Sequence, residues 1–310
     1  MRILLALGGN AMTNADGRAR PEDQIAAAEV AMEAVAELLE LEAEVVLTHG
    51  NGPQVGNLLV KNELAAAVVP PVPLDWCGAQ TQATLGFVLM NALEASLARR
   101  AATRQLATVV TRTRVARDDP GFSRPTKPIG RYLPEDQAAL LVEHGETWED
   151  RGEKGWRRLV ASPEPLEILD APAVLALLEA GFVVVANGGG GIPVVREEGR
   201  LHGVEAVIDK DLGAALLARV VDADTLVVAT DVPNAVIGFG TPHAEPLGEV
   251  TADRMREYAA TGHFAGGSMG PKVDAVCRFV ESTGRRGIIT SLDNILDAVS
   301  GNAGTVVVPH

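Results

Sequence analysis

Short apolar runs alternate with longer alanine-rich segments along this chain, and this alternation constrains its fold more than any other feature. The runs are apolar at nearly every position, as strands of a parallel sheet are when both faces of the sheet are buried. The longer segments carry apolar residues at helical spacing. The pattern predicts the α/β class, with a parallel sheet covered by helices on both faces. We predict strands at Ile3–Leu7, Glu44–Thr48, Ala107–Thr111, Val183–Ala186, Thr225–Ala229, Gly287–Thr290 and Thr305–Val308, and helices at Glu22–Leu41, Gly78–Arg99, Ala171–Glu179, Asp211–Val220, Thr251–Tyr258 and Pro271–Thr283.

Charge and hydropathy argue against two classes of partner. The formal net charge is −14, whereas proteins that bind nucleic acid through its phosphates need a basic surface. No apolar stretch approaches the roughly 20 residues that a membrane helix requires. The N-terminus runs through MRILLALGGN into a glycine turn without a small-residue cleavage site. We therefore expect a cytoplasmic protein that binds neither nucleic acid nor membrane.

The two cysteines do not predict a disulfide or a metal site. Cys77 and Cys277 lie far apart, without CxxC spacing and without paired histidines nearby. Disulfide frameworks occur in chains dense in cysteine, and zinc sites need closely spaced cysteine and histidine ligands. We expect no metal held by protein side chains alone.

One segment, residues 117–158, departs from the alternation. It is crowded with charged residues, proline and tryptophan and shows little sustained periodicity. Stretches longer than about 12–15 residues without regular structure are uncommon in compact domains and are often functional lids. We interpret the segment as an insertion or protruding subdomain, with a long solvated loop as the alternative.

Four glycine-rich turns follow or precede the predicted elements. In open α/β sheets, ligands bind beyond the carboxyl ends of the strands, and glycines there let backbone N–H groups converge on an anion. Any one of these turns is explained by ordinary turn chemistry, but their joint placement predicts an oxyanion site. The turns are Gly8-Gly9-Asn10, Gly50-Asn51-Gly52, Asn187-Gly188-Gly189-Gly190-Gly191 and Gly266-Gly267-Ser268-Met269-Gly270.

Lysine is rare in this chain, which makes each lysine informative. Only five of its 27 basic residues are lysines, so arginine has replaced lysine nearly everywhere that a generic surface cation would serve, and a site shaped around a lysine does not readily accept arginine. Lys127, Lys210 and Lys272 occur in contexts marked by glycine or proline, namely PTKPIG, VIDKDLG and GSMGPKV. Phosphoryl transfer depends on cations placed against the charge that develops on the transferred group. The three lysines at glycine turns therefore predict a phosphoryl-transfer site, and exposed first helical turns are the alternative for Lys210 and Lys272.

Two aspartates flank Lys210 at the start of a predicted helix. A cation there is slightly disfavoured by the helix dipole, so an anion is expected nearby. We predict that Asp211 orients the lysines, and we leave Asp209 undecided between a helix cap and a charged partner. His49 precedes Gly50, and a neutral hydrogen-bonded role in the turn is preferred over acid–base catalysis, since no partner carboxylate is identifiable.

Seven motifs in order along the chain closely resemble those of the carbamate kinases of the amino acid kinase superfamily. They are LALGGNAM, THGNGPQVGNLL, PLDWCGAQTQ, RPTKPIG, ANGGGGIPV, GVEAVIDKDL and GSMGPKVDA. The resemblance implies one domain over residues 1–310, a three-layer α/β/α sandwich on a mainly parallel sheet of about eight strands, with a small protruding subdomain. It implies an acceptor lobe at residues 1–190, including the subdomain at about 117–158, and a nucleotide lobe at residues 191–310.

The resemblance also implies the reaction and its participants. ATP and carbamate would give ADP and carbamoyl phosphate with Mg²⁺, and the enzyme would make ATP from carbamoyl phosphate in arginine catabolism as a homodimer. The implied catalytic residues are Lys127, Lys210, Asp211 and Lys272. The implied acceptor-binding residues are Gly8, Gly9, Asn10, Gly50, Asn51 and Gly52. The implied nucleotide-binding residues are Asp209, Asp231, Gly266, Gly267, Ser268, Met269 and Gly270.

Two alternatives remain beside this resemblance. Related kinases carry a lysine two residues before the first glycine pair, and here that position is Ala6, which favours carbamate kinases over those relatives. A sister kinase acting on another small carboxylate or phosphonate stays open, as does a nucleotide-binding regulator without catalysis. The chain departs from the family's usual pattern at Arg131 and at residues 232–234, and the first departure is expected to change how the subdomain docks.

Overall fold

The computed structural model describes residues 1–13, 20–264 and 269–309, except the side chains of Asn10 and Ala11. Its strands are β1 Arg2–Leu7, β2 Glu44–His49, β3 Gln105–Val109, β4 Arg112–Arg114, β5 Lys127–Leu133, β6 Thr147–Asp150, β7 Trp156–Val160, β8 Glu167–Ile168, β9 Phe182–Ala186, β10 Ile192–Glu197, β11 Arg200–Gly203, β12 Thr225–Thr230, β13 Val236–Ile237, β14 Glu245–Pro246, β15 Glu249–Thr251, β16 Arg286–Ser291 and β17 Thr305–Val308. Its α-helices are α1 Pro21–Glu40, α2 Gly52–Ala65, α3 Leu74–Arg99, α4 Pro120–Ser123, α5 Glu135–Glu143, α6 Ala171–Glu179, α7 Lys210–Val220, α8 Ala252–Ala260, α9 Met269–Thr283 and α10 Ile295–Val299.

The main sheet has eight strands in the order β15-β17-β16-β12-β1-β2-β9-β3. Neighbouring strands are parallel throughout, except that β16 and β17 are antiparallel. This confirms the predicted mainly parallel sheet of about eight strands. Along the chain, β1 leads to its neighbour β2 on one side, whereas β12 leads to β16 on the other. The connections that follow β1 and β12 therefore lead towards opposite edges of the sheet. In open α/β sheets a ligand-binding crevice forms at such a point, here beyond the carboxyl ends of β1 and β12.

The sheet separates two apolar cores, which gives the molecule its three layers. Leu4 and Ala6 of β1 face the core beneath α6, α7, α8 and α9. Ile3, Leu5 and Leu7 face the opposite core beneath α1, α3 and α10. Successive side chains of a strand point to opposite faces, so a strand between two helical layers must be apolar at every position.

Most predicted elements are confirmed, with shifted ends. The third predicted strand, Ala107–Thr111, was wrong by two residues, because Val110 and Thr111 lie beyond the end of β3. Helix α2 was not predicted, since its first turn is the glycine turn itself and Gly56 interrupts its apolar pattern. A second sheet, in the order β11-β10-β4-β8, was also missed, because its strands are short and partly exposed.

Residues 117–158 form a small subdomain rather than an irregular loop. Strands β5, β7 and β6 pair antiparallel in that order, and α5 packs on them. Leu133, Ala138 and Trp148 make a separate small core. The subdomain interpretation is confirmed, and only its regular structure was underestimated from the sequence.

The cysteines and the apolar character of the helices were also considered from the sequence. Cys77 and Cys277 are both buried and free. Within the described ranges, no helix combines the length and the apolar character needed to cross a bilayer.

Candidate active site

A cavity of about 410 Å³ opens at the carboxyl ends of β1, β2 and β12, where the topology places the crevice. The cavity brings together residues that lie more than 200 positions apart, because parallel strands end at one edge of the sheet. Eleven of the predicted site residues line it: Gly8, Gly9, Gly50, Asn51, Gly52, Lys127, Asp209, Lys210, Asp211, Asp231 and Lys272.

Asp211 connects two of the lysines at the inner side of the cavity. Its Oδ1 lies 2.5 Å from Nζ of Lys210, and its Oδ2 lies 3.2 Å from Nζ of Lys272. Asp211 and Lys272 are both buried, so these charge-assisted hydrogen bonds form away from bulk water. We call these three residues the lysine–aspartate bridge. The predicted orienting role of Asp211 agrees with this geometry.

Burial and charge act together on the bridge. Burial by itself would raise the pKa of the Asp211 carboxyl, but the charges of Lys210 and Lys272 lower it below its ordinary value. Burial lowers the pKa of Lys272, and repulsion from Lys210 lowers it further, while Asp211 opposes both effects. A buried carboxylate between two ammonium groups leaves one net positive charge, and an anionic ligand would complete the balance.

Asp209 acts both as a helix cap and as a charged partner. Its Oδ1 accepts hydrogen bonds from the backbone N–H groups of Asp211 and Leu212, at 2.9 and 3.4 Å. Its Oδ2 lies 2.7 Å from Nζ of Lys127, which enters the cavity from the subdomain strand β5. We call Lys127 and Asp209 the seam pair. Asp209 therefore has both of the roles that the sequence left open: Oδ1 caps the helix, and Oδ2 pairs with a charged partner.

Gly50 allows the stem of Lys210 to approach the turn after β2. A Cβ added to Gly50 would lie 3.1 Å from Cδ of Lys210 and 3.3 Å from the backbone nitrogen of Gly9. The N–H of Gly50 donates to the carbonyl of Leu7 at 3.1 Å. Gly50 therefore serves the site through the close approach that it permits, rather than as a free backbone donor.

The turn at residues 187–191 packs against Asn51 of the site, a role that was not assigned from the sequence. Gly189 has a φ of +66°, and a Cβ on it would lie 2.2 Å from the side-chain nitrogen of Asn51. The hydroxyl groups of Thr48, Thr111 and Thr113 donate to Asn187 or accept from it, each at 3.0 Å. The only signal for this turn in the sequence was its run of four glycines.

His49 has the neutral, structural role preferred from the sequence. Its ring is buried, and Nδ1 donates to the carbonyl of Gly50 at 3.0 Å. Burial, with a further contribution from the charge of Lys210, lowers the pKa of His49 to about 4 despite the hydrogen bond to Gly50. The imidazole is therefore neutral at physiological pH.

The nucleotide-binding predictions are only partly within the described structure. Gly266, Gly267 and Ser268 lie outside the described residues, as does the side chain of Asn10. Met269 and Gly270 begin α9, and Pro271 and Lys272 of that helix line the cavity. Asp231, at the end of β12, is exposed at the cavity and accepts a hydrogen bond from the Thr230 hydroxyl at 3.0 Å.

The donor atoms in the cavity fit Mg²⁺ that arrives with a nucleotide. Among the described residues, no three His, Cys, Asp or Glu side chains cluster as a metal site. Mg²⁺ usually binds to one or two carboxylates together with substrate phosphates and water, so it needs no such cluster. Asp211 is occupied by two lysines and Asp209 by Lys127. Asp231 is consequently the carboxylate best placed to receive the ion.

Comparison with known proteins agrees with the fold. The model of the amino acid kinase family matches residues 1–291. The chain belongs to the amino acid kinase family. Within it, the chain is 44% identical to the carbamate kinase of Thermococcus kodakarensis, over 99% of both proteins. It is 43% identical to the carbamate kinase-like protein YahI of Escherichia coli, over 99% of this chain and 98% of that protein.

A family member of known structure has the same overall architecture. The carbamate kinase from Giardia lamblia bound to AMP-PNP superimposes with a TM-score of 0.94. The two chains are 38% identical, and the match covers 100% of this chain and 98% of that one. The three-layer architecture described above is therefore that of the family's carbamate kinases.

Proposed function

We propose that this protein is a carbamate kinase that transfers a phosphoryl group reversibly between ATP and carbamate. The observation that carries the proposal is the lysine–aspartate bridge at the carboxyl ends of β1 and β12. Phosphoryl transfer needs positive charge fixed against the transferred group more than it needs a covalent nucleophile. The full-length similarity to carbamate kinases supports carbamate as the acceptor.

The residues around the cavity have complementary roles in this proposal. Lys210 and Lys272 stabilise the negative charge on the transferred phosphoryl group, and Asp211 keeps their ammonium groups in place. Lys127 approaches the same group from the subdomain. The turns at Gly8-Gly9 and Gly50–Gly52 hold carbamate and the transferring phosphoryl, and the first turn of α2 offers backbone N–H groups without intrahelical partners. Fixed charges of this kind lower the barrier because they need no reorganisation during the reaction.

The nucleotide enters this scheme on the side of β12 and α9. We assign Asp209, Asp231 and the segment that leads into α9, residues 266–270, to nucleotide binding. Mg²⁺, when bound with the nucleotide, neutralises part of the phosphate charge, and Asp231 would hold it. The division into an acceptor lobe at residues 1–190 and a nucleotide lobe at residues 191–310 follows from these assignments.

Synthesis of ATP from carbamoyl phosphate, ADP and Mg²⁺ by the purified protein tests the proposal. We expect turnover well above a buffer control and dependence on all three components. Absence of turnover in protein that binds ADP would contradict the proposal and favour the nucleotide-binding regulator. We further propose that the physiological direction is ATP synthesis in arginine catabolism, in the cytoplasm, by a homodimer.

A sister kinase with a different acceptor is the second candidate function. The similarity to YahI, which is named only as carbamate kinase-like, shows that comparable identity reaches proteins whose name leaves the acceptor open. Asn51 is the residue to examine, since its side chain is buried at the acceptor turn and donates to Thr81 at 2.9 Å. A screen of small carboxylates and phosphonates for ADP release would separate the two, and carbamate should give the highest kcat/KM.

A further inference from the structure

A second cavity, of about 540 Å³, lies at the seam between the subdomain and α2. Gly52, Pro53 and Pro128 line both this cavity and the catalytic one. The two cavities are therefore neighbours on either side of these residues, and Lys127, which directly precedes Pro128, lines the catalytic cavity only. We call the second cavity the arginine vestibule, because its lining includes Arg20, Arg131 and Arg157.

A bulge in the subdomain strand β5 builds the vestibule. Ile129 and Tyr132 pair with consecutive residues of β7, so Gly130 and Arg131 project from the ladder. Gly130 has a φ of +69°, and its Cα would lie 3.5 Å from a Cβ on Gly56 of α2. Nη2 of Arg131 lies 3.0 Å from a carboxylate oxygen of Glu63, also on α2. The departure at Arg131 thus provides a charged contact that docks the subdomain on α2.

The vestibule concentrates positive charge on a strongly acidic protein. Its lining includes three arginines, and no described acidic side chain is among the lining residues. Among the described residues, Arg131 has an ion-pair partner, Glu63, immediately outside the lining. The chain as a whole carries a net charge of −14. A small dianion would be repelled by the general surface and attracted at this one opening beside the catalytic lysines.

Arg157 is held in a position that suits anion binding. Its guanidinium stacks on the ring of Tyr132, with 4.8 Å from Cζ to the ring centroid, and Nη1 donates to the Tyr132 hydroxyl at 3.0 Å. Its Nε is buried without a hydrogen-bond partner among the described residues. The hydrogen bond from Arg157, with the charges of Lys154 and Arg151, lowers the pKa of Tyr132 despite some burial. The surroundings of Tyr132 are therefore cationic as well as geometrically fixed.

We propose that the arginine vestibule is a binding site for a small dianionic phosphate compound, through which carbamoyl phosphate reaches the catalytic cavity. The role of carbamoyl phosphate rests on the proposed function, whereas binding of a phosphate dianion does not. The site captures the substrate electrostatically and takes no part in the chemical step. It therefore affects kcat/KM for the anionic substrate, and it does so most at low ionic strength, where charges act over distances of about 30 Å.

The test removes the charges and measures both binding and turnover. The variants are Arg20→Gln, which is exposed ahead of α1 and should fold normally, and the double variant Arg20→Gln/Arg157→Gln. The matched control is Arg196→Gln/Arg200→Gln, which removes the same charge from β10 and β11, outside both cavities. Calorimetry with inorganic phosphate at low ionic strength measures binding. ATP synthesis at varied carbamoyl phosphate and varied ADP measures turnover.

The vestibule predicts a specific set of results. For the double variant, phosphate binding and kcat/KM for carbamoyl phosphate should fall by roughly 3- to 10-fold, at the lower end of the range known for focused surface charge. The KM for ADP should stay at the parental value, and the defect should disappear near 1 M salt, where the Debye length is about 3 Å. The single variant should show a smaller change in the same direction.

The failures of the two proposals can be told apart. The vestibule proposal is wrong, whatever the turnover, if the double variant binds phosphate as tightly as the parent. It is also wrong if the control variant loses as much phosphate affinity as the double variant does. If the parent binds phosphate more tightly than the double variant but makes no ATP, the anion site stands and the kinase proposal fails. If the fall in kcat/KM for carbamoyl phosphate persists unchanged at high salt, the substitutions have distorted the subdomain, and this result would also overturn the vestibule proposal.

Discussion

On the inner side of the catalytic cavity, Asp211 contacts two lysine ammonium groups, whereas on the seam side Asp209 contacts one. The side chains of Asp211 and Lys272 are only 4% and 6% exposed, but that of Lys127 is 33% exposed. The lysine–aspartate bridge joins elements that pack on the main sheet, α7 and α9. The seam pair instead joins α7 to the subdomain.

This difference indicates a division of labour between the two sides. Buried charges that are hydrogen-bonded to one another are costly to separate, so the bridge is a fixed part of the site. A partly exposed ion pair contributes less to stability than a buried one, and its members exchange partners more readily. In the proposed reaction, Lys127 would leave Asp209 to contact a substrate phosphate, whereas Lys210 and Lys272 would keep their positions. The predictions below test this contrast, beginning with the largest expected effect.

Matched substitutions of the two aspartates give the sharpest contrast. Asp211→Asn leaves the buried Lys272 and the partly buried Lys210 facing each other without a compensating charge, so we expect a loss of about 3–5 kcal/mol in the free energy of unfolding and no measurable ATP synthesis. Asp209→Asn keeps a good helix cap and should cost about 0–1 kcal/mol. Urea unfolding and the ATP-synthesis assay measure both effects. Equal losses in the two variants would remove the distinction between the two sides.

Lys210→Arg tests whether the inner side needs a point charge. The guanidinium is planar and wider than an ammonium group, and the lysine stem passes close to Gly50. We expect kcat to fall by about 10²- to 10³-fold, as when one fixed donor is removed from a transition state, with normal folding by circular dichroism. Near-parental turnover would contradict the inference drawn from the scarcity of lysine.

Acid should lower the free energy of unfolding, because His49 takes up a proton more readily in the unfolded chain than in the folded protein. Its pKa is lowered from 6.5 to about 4 in the folded protein, so below pH 6.5 the unfolded chain binds a proton that the folded chain does not. The free energy of unfolding should fall by roughly 3 kcal/mol between pH 6.5 and 4 from this group alone. Below pH 3.8, the ordinary pKa of the carboxyl, the unfolded chain also binds a proton at Asp211 that the folded chain does not, and this adds a further loss. Urea unfolding across this range should show a shallower slope in His49→Gln than in the parent.

Lys127→Gln should have the smallest effect of this series. The Lys127 side chain is partly exposed, so we expect a stability change of about 0–1 kcal/mol. Turnover should fall by roughly 10- to 100-fold, because a hydrogen bond to a charged group contributes about 1.5–3 kcal/mol. Parallel kinetics with Lys210→Arg would compare the two sides directly. A larger loss in Lys127→Gln than in Lys210→Arg would mean that the subdomain, not the inner side, supplies the decisive charge.

The sequence predicted the elements that have a strong local pattern. The apolar runs around Ile3–Leu7 and Thr225–Ala229 identified central strands, since a buried parallel strand is apolar throughout. Helix α2 and the second sheet escaped prediction because their patterns are short or interrupted by glycine. Lys127, Lys210 and Lys272 were identified by the scarcity of lysine and by the glycines or prolines nearby in the sequence, without knowledge of the distances between them.

The sequence by itself determined the α/β class, the glycine turns at the strand ends and the set of charged residues that meet there. Only the tertiary structure decided that Asp211 contacts Lys272, that Asp209 contacts Lys127, and that the bulge at Arg131 docks on α2. Strands, turns and caps depend on neighbouring residues, so they can be read from local periodicity and composition. Ion pairs across 61 and 82 positions depend on how the sheet brings distant segments together, and no local pattern records which carboxylate oxygen will face which lysine.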